Sequence, residues 1–447
     1  MSNRTYILKR RVLTIFFILV ILSASAQTTY RKLSLEEAIT AAVNNNRQVQ
    51  LANLDVLIAS SQFKQMDAIY LPQVGLSYTG MSTNNPLNAF GFKLQQGSIT
   101  QNDFNPALLN HPLNTPDFTT KLEFQQPIIN LDQQYMRKGA EKQIELYQFK
   151  KERTKEYIRF ETEKAWLQLQ LTYQSIIVME EALATSKAVH VFTDNYFKQG
   201  LVQKSDLLTV EVQVSTLENT LAKARTNILT ISDFISQLMG STGGMIYTIE
   251  PNSNNTKESL DTSAAVSPNR SDFLAMKKAI EASDLMIESK RKTYLPRLNA
   301  FGSYQLNDSR MLGFGAGAYI AGISLSWDIF KGNTTKNQIF TQTLERNRLS
   351  IQLQEQQELG NTELNKTKRQ IADIRFEIIQ NEKAIEQATE ALRIIQNRYQ
   401  QGLVNTTDVM TANTQLSQQK LSLAQAIFNR DLTKAYLRFL TTTSIKN

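Results

Sequence analysis

Two stretches of this chain are near copies of one another. Asn195, Gln199, Gly200, Leu201, Val202, Asp206 and Thr209 return as Asn397, Gln401, Gly402, Leu403, Val404, Asp408 and Thr411, each 202 residues later, and Phe197 is answered by Tyr399. A second pair of anchors, Tyr70-Leu71-Pro72 and Tyr294-Leu295-Pro296, lies 224 residues apart, so the first half carries an insertion. A duplicated layout constrains the fold before any local motif is weighed, since each copy must be one packing unit. The repeats divide as residues 27–250 and 269–447, joined by a linker over 251–268.

Residues 1–26 stand outside this layout. Arg4, Lys9, Arg10 and Arg11 form a basic start, Val12 to Leu22 an apolar stretch, and Ala24-Ser25-Ala26 a small-residue cleavage site before Gln27. The pattern predicts a signal peptide and export; the apolar run is far short of the roughly 20 residues a membrane-crossing helix requires. Of the net charge of +8, four cations belong to this segment, and the remainder is spread thinly, which argues against nucleic acid as a partner. The chain has no cysteine and two histidines, so neither thiol chemistry nor a metal centre or catalytic triad of the usual side chains can be assembled.

Only 9 prolines and 17 glycines punctuate 447 residues, and long Gln-, Glu-, Lys- and Leu-rich tracts lie between them. Helical patterns are predicted from the capping box Ser34-x-x-Glu37 to about Tyr70, from Leu131 to Lys198, from Ser271 to Tyr294 and from Lys336 to Gln401. A 60-residue helix is on the order of 90 Å long. In the second repeat Leu364, Ile371, Ile378, Ile385, Leu392 and Tyr399 recur every seven residues, with Ile374, Ala388 and Ile395 at the offset of three, which is coiled-coil spacing. The matching positions in the first are Leu169, Ile176, Leu183, His190 and Phe197. Each long helix then reverses at its glycine and returns, through Leu207 to Met239 or Val409 to Leu440, giving two antiparallel helical hairpins, about 131–240 and 336–440.

Four short segments have period two. Val74, Leu76 and Tyr78; Phe118, Leu122 and Phe124; Leu298, Ala300, Tyr304 and Leu306; and Ala321, Ile323, Leu325, Trp327 and Ile329 alternate with mostly polar neighbours. They form strand pairs at about 70–128 and 296–330, each with one apolar face. Four strands supply no second sheet for that face, and they suit a barrel wall in lipid. They also cannot close a barrel alone, so the chain must complete its sheet with other copies. Two copies would make eight strands around a lumen filled by side chains; three would make twelve around water, the better conduit.

With these residues in order, the chain resembles the TolC family of outer-membrane channel tunnels. The resemblance rests on Leu33-Ser34-Leu35-Glu36-Glu37-Ala38-Ile39 leading to Tyr70-Leu71-Pro72, on Arg270-Ser271-Asp272 leading to Tyr294-Leu295-Pro296, on the strand end Leu325 to Gly332 and on the two Phe/Tyr-x-x-Gly-Leu-Val tips. It implies a mainly α fold with a membrane β-barrel portion: a homotrimer whose twelve-stranded barrel in outer-membrane lipid continues into an α-helical tunnel in the periplasm. It also implies a periplasmic adaptor protein and, through it, an inner-membrane pump, with the tips Gly200, Leu201, Val202, Gly402, Leu403 and Val404 contacting the adaptor. Asp206 and Tyr399 match one bond of the family's periplasmic gate, and Asp408 matches an acid of its constriction. Val404 and Thr411 depart from the arginine and second aspartate of the best-studied members. Each acid also begins a return helix, where a carboxylate serves as a cap.

The stretch 84–116 is predicted to be an extended extracellular loop, a variable surface loop rather than a lid, and 241–268 to be irregular. Gly313-x-Gly315-x-Gly317 reads as a hairpin tip, not a nucleotide loop, because no helix follows it. His190 is expected in the heptad seam, and His111 lies in the Asn- and Pro-rich stretch. A passive export duct for small molecules is the expected function. A protein-secretion duct and a membrane-anchored adhesive coiled coil are the alternatives; no residue constellation supports an enzyme.

Overall fold

The computed structural model describes residues 29–249 and 265–443, so the segment read as a signal peptide lies outside the described residues. The elements in chain order are β1 (Thr29–Lys32), α1 (Leu35–Asn45), α2 (Arg47–Gln65), β2 (Gln73–Thr83), α3 (Pro86–Gln95), α4 (Pro106–Asn110), β3 (Thr115–Ile129), α5 (Leu131–Lys198), α6 (Lys204–Leu238), β4 (Met245–Thr248), α7 (Ser271–Lys292), β5 (Arg297–Asp308), β6 (Ala316–Ser326), α8 (Thr334–Gln400) and α9 (Thr406–Thr441). Two compact units emerge, one of Leu54–Lys150 with Asp272–Glu355, the other holding the remainder of the chain.

The first unit is organised by one antiparallel sheet in the order β2-β3-β5-β6. Its register puts every apolar alternation on one face: Val74 pairs with Phe124, Leu76 with Leu122 and Leu122 with Tyr304, while Tyr304 pairs with Tyr319 and Ala300 with Ile323. All of these but the half-buried Ala300 stay exposed in the protomer. The other face carries Asp117, Thr119, Lys121, Glu123, Arg297, Asn299, Ser303 and Asn307, with Lys121 paired to Glu123. A greasy outer and a wet inner face are what a barrel wall requires. Strands β2 and β6 are the edges of this sheet, each paired on one side only among the described residues.

Where strand gives way to helix, Asp132 at the start of α5 is buried and holds Arg297 of β5 at 2.6 Å, while Ser289 of α7 donates to its carbonyl at 2.7 Å. Two neutral groups, Asn130 and Asn299, bond at 3.0 Å beside it. Helix α7 lies so close to α5 that a Cβ on Gly139 would sit 3.4 Å from the Ala282 carbonyl. Lys278 and Glu145 link the same two helices at 2.9 Å.

The second unit has its main core where α1, α5, α6 and β4 meet, around Leu33, Ala42, Ile158, Leu169, Ile228, Ile235 and Tyr247. The segment expected to be irregular contains β4, which pairs in parallel with β1. Four residues are too few to show a period, but Ile246 and Tyr247 are both buried, and the Tyr247 hydroxyl accepts from Ser236 at 3.0 Å. The first helical segment is likewise interrupted. Buried Asn46 adopts extended backbone, its amide donates to the Leu238 carbonyl at 2.8 Å, and its side-chain oxygen caps α2 by accepting from Gln48 N.

The stretch expected to be an extended loop is also folded. Asn85 caps α3 and Asn105 caps α4, each followed by a proline at the first helical position, where the missing N–H costs nothing. Between the helices Asp103 accepts from Lys93 at 2.6 Å and from Thr100 N at 2.7 Å. Those two bonds, the lysine's first, hold its carboxyl down to about 2. A depressed carboxylate contributes stability above its unfolded value near 3.8 that is lost as pH falls through the folded one. Pepsin nicking within 84–114 of the detergent-solubilised protein should therefore be slow at pH 4 and accelerate toward pH 2, whereas Asp103→Asn should be nicked readily at both; equal resistance of the two proteins would remove Asp103 from the fold of this segment.

Candidate functional site

The two hairpin tips are built alike. Gly200 has φ of +74° and Gly402 of +72°, and nothing lies within 4 Å of where either would carry a Cβ. The backbone angle, not space, is the demand for glycine here. Around each, the two N–H groups that follow the helix turn back onto it: Gly200 N to the Phe197 carbonyl and Leu201 N to that of Tyr196, Gly402 N to that of Tyr399 and Leu403 N to that of Arg398, all at 2.9 Å. The leucines stand outward, Leu201 65% and Leu403 64% exposed. The valines do not join them as the sequence led one to expect. Val404 packs against the core and Val202 is half-buried, so each tip offers one apolar side chain.

Both acids expected at the gate are helix caps. The Asp206 carboxylate accepts from Gln203 N at 3.1 Å and the Asp408 carboxylate from Asn405 N at 3.1 Å, with Asn405 in turn accepting from Asp408 N at 2.9 Å. Within the protomer Asp206 does not meet Tyr399. The tyrosine is only 5% exposed and its hydroxyl is taken by Thr193 at 2.8 Å and Thr406 at 3.0 Å. Thr193 donates its own hydrogen to the Val189 carbonyl, so Tyr399 donates to Thr193 and accepts from Thr406. This chain of hydroxyls ties α5 of one hairpin to α8 and α9 of the other. Asn413 adds a second tie, its amide donating to the Ala182 carbonyl and to Ser186, both at 3.1 Å.

Apolar packing closes around the same point: Val189, Val210, Leu392, Val409 and Met410 bury one another, and Phe192 lies against Tyr399 with centroids 5.1 Å apart. The expected seam of α5 holds at Leu169 and Ile176, which are buried, and at Leu183, which packs against the same core, but toward the tip the buried side runs through Ala182, Ser186, Val189 and Thr193 rather than His190 and Phe197. His190 instead reaches Glu211 at 3.5 Å, and Phe197 is exposed. Charge pairs flank the seam, Glu180 with Arg225, Lys187 with Glu218 and Glu181 with Lys420. Thr193, Thr406, Ser186 and Asn413 were not anticipated; the one signal was the hydroxyl that Tyr399 has and Phe197 lacks.

The sequence profile of the outer membrane efflux protein family matches residues 38–241 and 265–443. The chain belongs to that family. No curated protein matches it significantly. Among solved structures, CusC, described in connection with transmembrane channel formation, superimposes with a TM-score of 0.77 at 15% identity over 94% of both chains. The Campylobacter jejuni CmeC outer membrane channel gives 0.73 at 14% identity, over 91% of this chain and 85% of its own. The outer membrane protein VceC of Vibrio cholerae gives 0.69 at 16% identity, over 92% and 96%.

As an outer membrane efflux protein, the chain is an outer-membrane channel component with the trimeric tunnel-and-barrel fold, and its internal duplication is that of the family. Four strands in the sheet of each chain and open edges at β2 and β6 fit three copies closing one twelve-stranded wall. Among the described residues no helix is long and apolar enough to cross a membrane.

The buried hydroxyl chain makes its own prediction. Tyr399→Phe strands the Thr406 hydroxyl and should cost about 1–3 kcal/mol. Measured as denaturation midpoints in detergent, Thr193→Val and Tyr399→Phe should couple by about 1 kcal/mol in a double-mutant cycle, and strict additivity would mean the hydroxyls are not a unit.

Proposed function

We propose that the protein is the exit duct of a tripartite export system, a passive conduit that receives cargo from an inner-membrane pump through a periplasmic adaptor. Small molecules are the cargo class, in keeping with the efflux family to which the chain belongs. The observation that carries this reading is the interleaving of strands and hairpins in each repeat: every strand pair of the barrel wall is followed by a helical hairpin. An adhesive stalk would keep its barrel at one end of the chain, with no need to repeat this order.

The adaptor contact falls to the tips Gly200, Leu201, Val202, Gly402, Leu403 and Val404. The two glycines shape the turns, Val404 braces its turn from inside, and the two leucines present matched apolar knobs. A lone exposed leucine on a rigid turn is a suitable anchor for a pocket of the partner. Gating belongs to the same region. Opening a tunnel of packed hairpins means letting one hairpin move against its neighbour, and the Thr193–Tyr399–Thr406 chain resists that motion within each protomer. Asp206 and Asp408 contribute by fixing where the return helices begin, and three copies of Asp408 near the axis would favour cations.

Site-specific photo-crosslinking from Leu403 and Leu201 in living cells, followed by mass spectrometry, should capture an adaptor of a proton-driven efflux pump. Capture of an adaptor that serves an ATP-driven exporter would shift the cargo to peptides or proteins, and no adaptor from either tip would sink the docking assignment. In planar bilayers Tyr399→Phe should raise conductance relative to the parent channel; an unchanged value would free the hydroxyl chain from any part in the gate.

A further inference from the structure

The sheet carries a folded insert at the end remote from the long helices, and the insert turns inward. Residues 84–114 connect β2 to β3, where β5 and β6 are joined by 309–315 alone. Gln96 at the end of α3 donates to the Pro116 carbonyl at 2.8 Å and to the Asp117 carboxylate at 2.9 Å. A Cβ on Gly97 would lie 3.7 Å from that of Ala316. Asp117 and Ala316 both belong to the polar face of the sheet, the face that lines the lumen, by the same register that places Leu122 and Tyr304 outward.

The seat is firm. Asp117 is buried, and Asn307 and Thr119 of the same face hold its second oxygen at 3.0 and 2.6 Å. The insert is braced internally by the Lys93–Asp103 pair and by Phe90 against Phe104, edge to face with centroids 5.8 Å apart. What it leaves uncovered is a stripe of α3 at helical spacing, Leu87, Gly91 and Leu94. The two leucines are 81% and 56% exposed, and space is open around Gly91. An apolar stripe with a glycine at its centre lets a second backbone approach closely.

We propose that this stripe packs against the inserts of the neighbouring copies, so that three of them form an apolar constriction across the outer mouth of the barrel. The occupant is a second copy of this chain because the insert leaves from the end of β2, an edge strand whose only means of closing the wall is another protomer, so the stripe continues the seam between copies. This rests on the trimeric barrel but not on any adaptor or on the gate at the tips.

The chain has no cysteine, so single cysteines report cleanly. Full-length Leu87→Cys and Leu94→Cys proteins, oxidised in the outer membrane, should form covalent dimers on non-reducing gels, while Met311→Cys, equally exposed on the β5–β6 turn, should not. No dimer from either insert position in trimers that remain intact on native gels, or equal linking from Met311→Cys, would overturn the contact. The barrier is read separately, by adding a bulky maleimide to intact cells whose channel carries Ser303→Cys on the lumen face. With Leu87→Glu and Leu94→Glu also present, like charges should part the inserts and speed labelling about tenfold; an unchanged rate would overturn the constriction.

Discussion

The rest of the structure follows from an unfinished sheet. Four antiparallel strands with one apolar face are stable in lipid only if their edges are paired, since an unpaired row of N–H and C=O groups has no water there to satisfy it. In this protomer β2 and β6 end the sheet, and no described strand remains to cover them. Other copies must supply the pairing, and copies of one chain arranged around a pore do so by rotational symmetry. The hairpins, too, leave apolar side chains exposed in the single protomer, such as Val191, Leu208 and Val212.

Duplication supplies the layout but not the details, and the two tips show where the repeats part company. Backbone geometry is reproduced almost to the degree, because both turns solve the same steric problem with the same glycine. Side-chain chemistry is not reproduced. Phe197 is exposed on its hairpin while Tyr399, its counterpart, is buried and bonded to two threonines that have no equivalents, since Ile395 stands opposite Thr193 and Lys204 opposite Thr406. One repeat thus contributes a donor and the other receives it, which lets a single hydroxyl chain join two hairpins. A strictly symmetric pair would have placed two tyrosines, or none, at the joint.

Much of this was legible in the sequence for physical reasons. Period seven and period two are imposed by burial along whole elements, so the long helices and the four strands announced themselves, as did the glycine turns. Elements held by one or two contacts did not. The β1–β4 pair is four residues long, and the break at Asn46 depends on an amide reaching Leu238, far away in sequence. The heptad seam of α5 was legible at Leu169, Ile176 and Leu183 but not nearer the tip, because Phe197 looks more like core than Ser186 and Thr193 do. Small polar residues won those positions by bonding to Asn413 and Tyr399. In a narrow interface between helices a hydroxyl with a partner is as much at home as a methyl group.

The inward insert was legible too, in a signal that composition obscured. An Asn- and Pro-rich stretch reads as loop when residues are counted, yet Asn85-Pro86 and Asn105-Pro106 are each a cap followed by the one proline position a helix welcomes. Two such pairs describe two short helices, and a segment with helices has faces. Its Gln96 reaches the polar side of the sheet at Asp117, and its apolar stripe of Leu87 and Leu94 stays exposed in the protomer, which is what the proposed packing between copies would cover. Around a three-fold axis the nearest candidates are its own symmetry copies. A variable loop with no hold on the sheet would have no reason to face the lumen; this insert is held at Asp117.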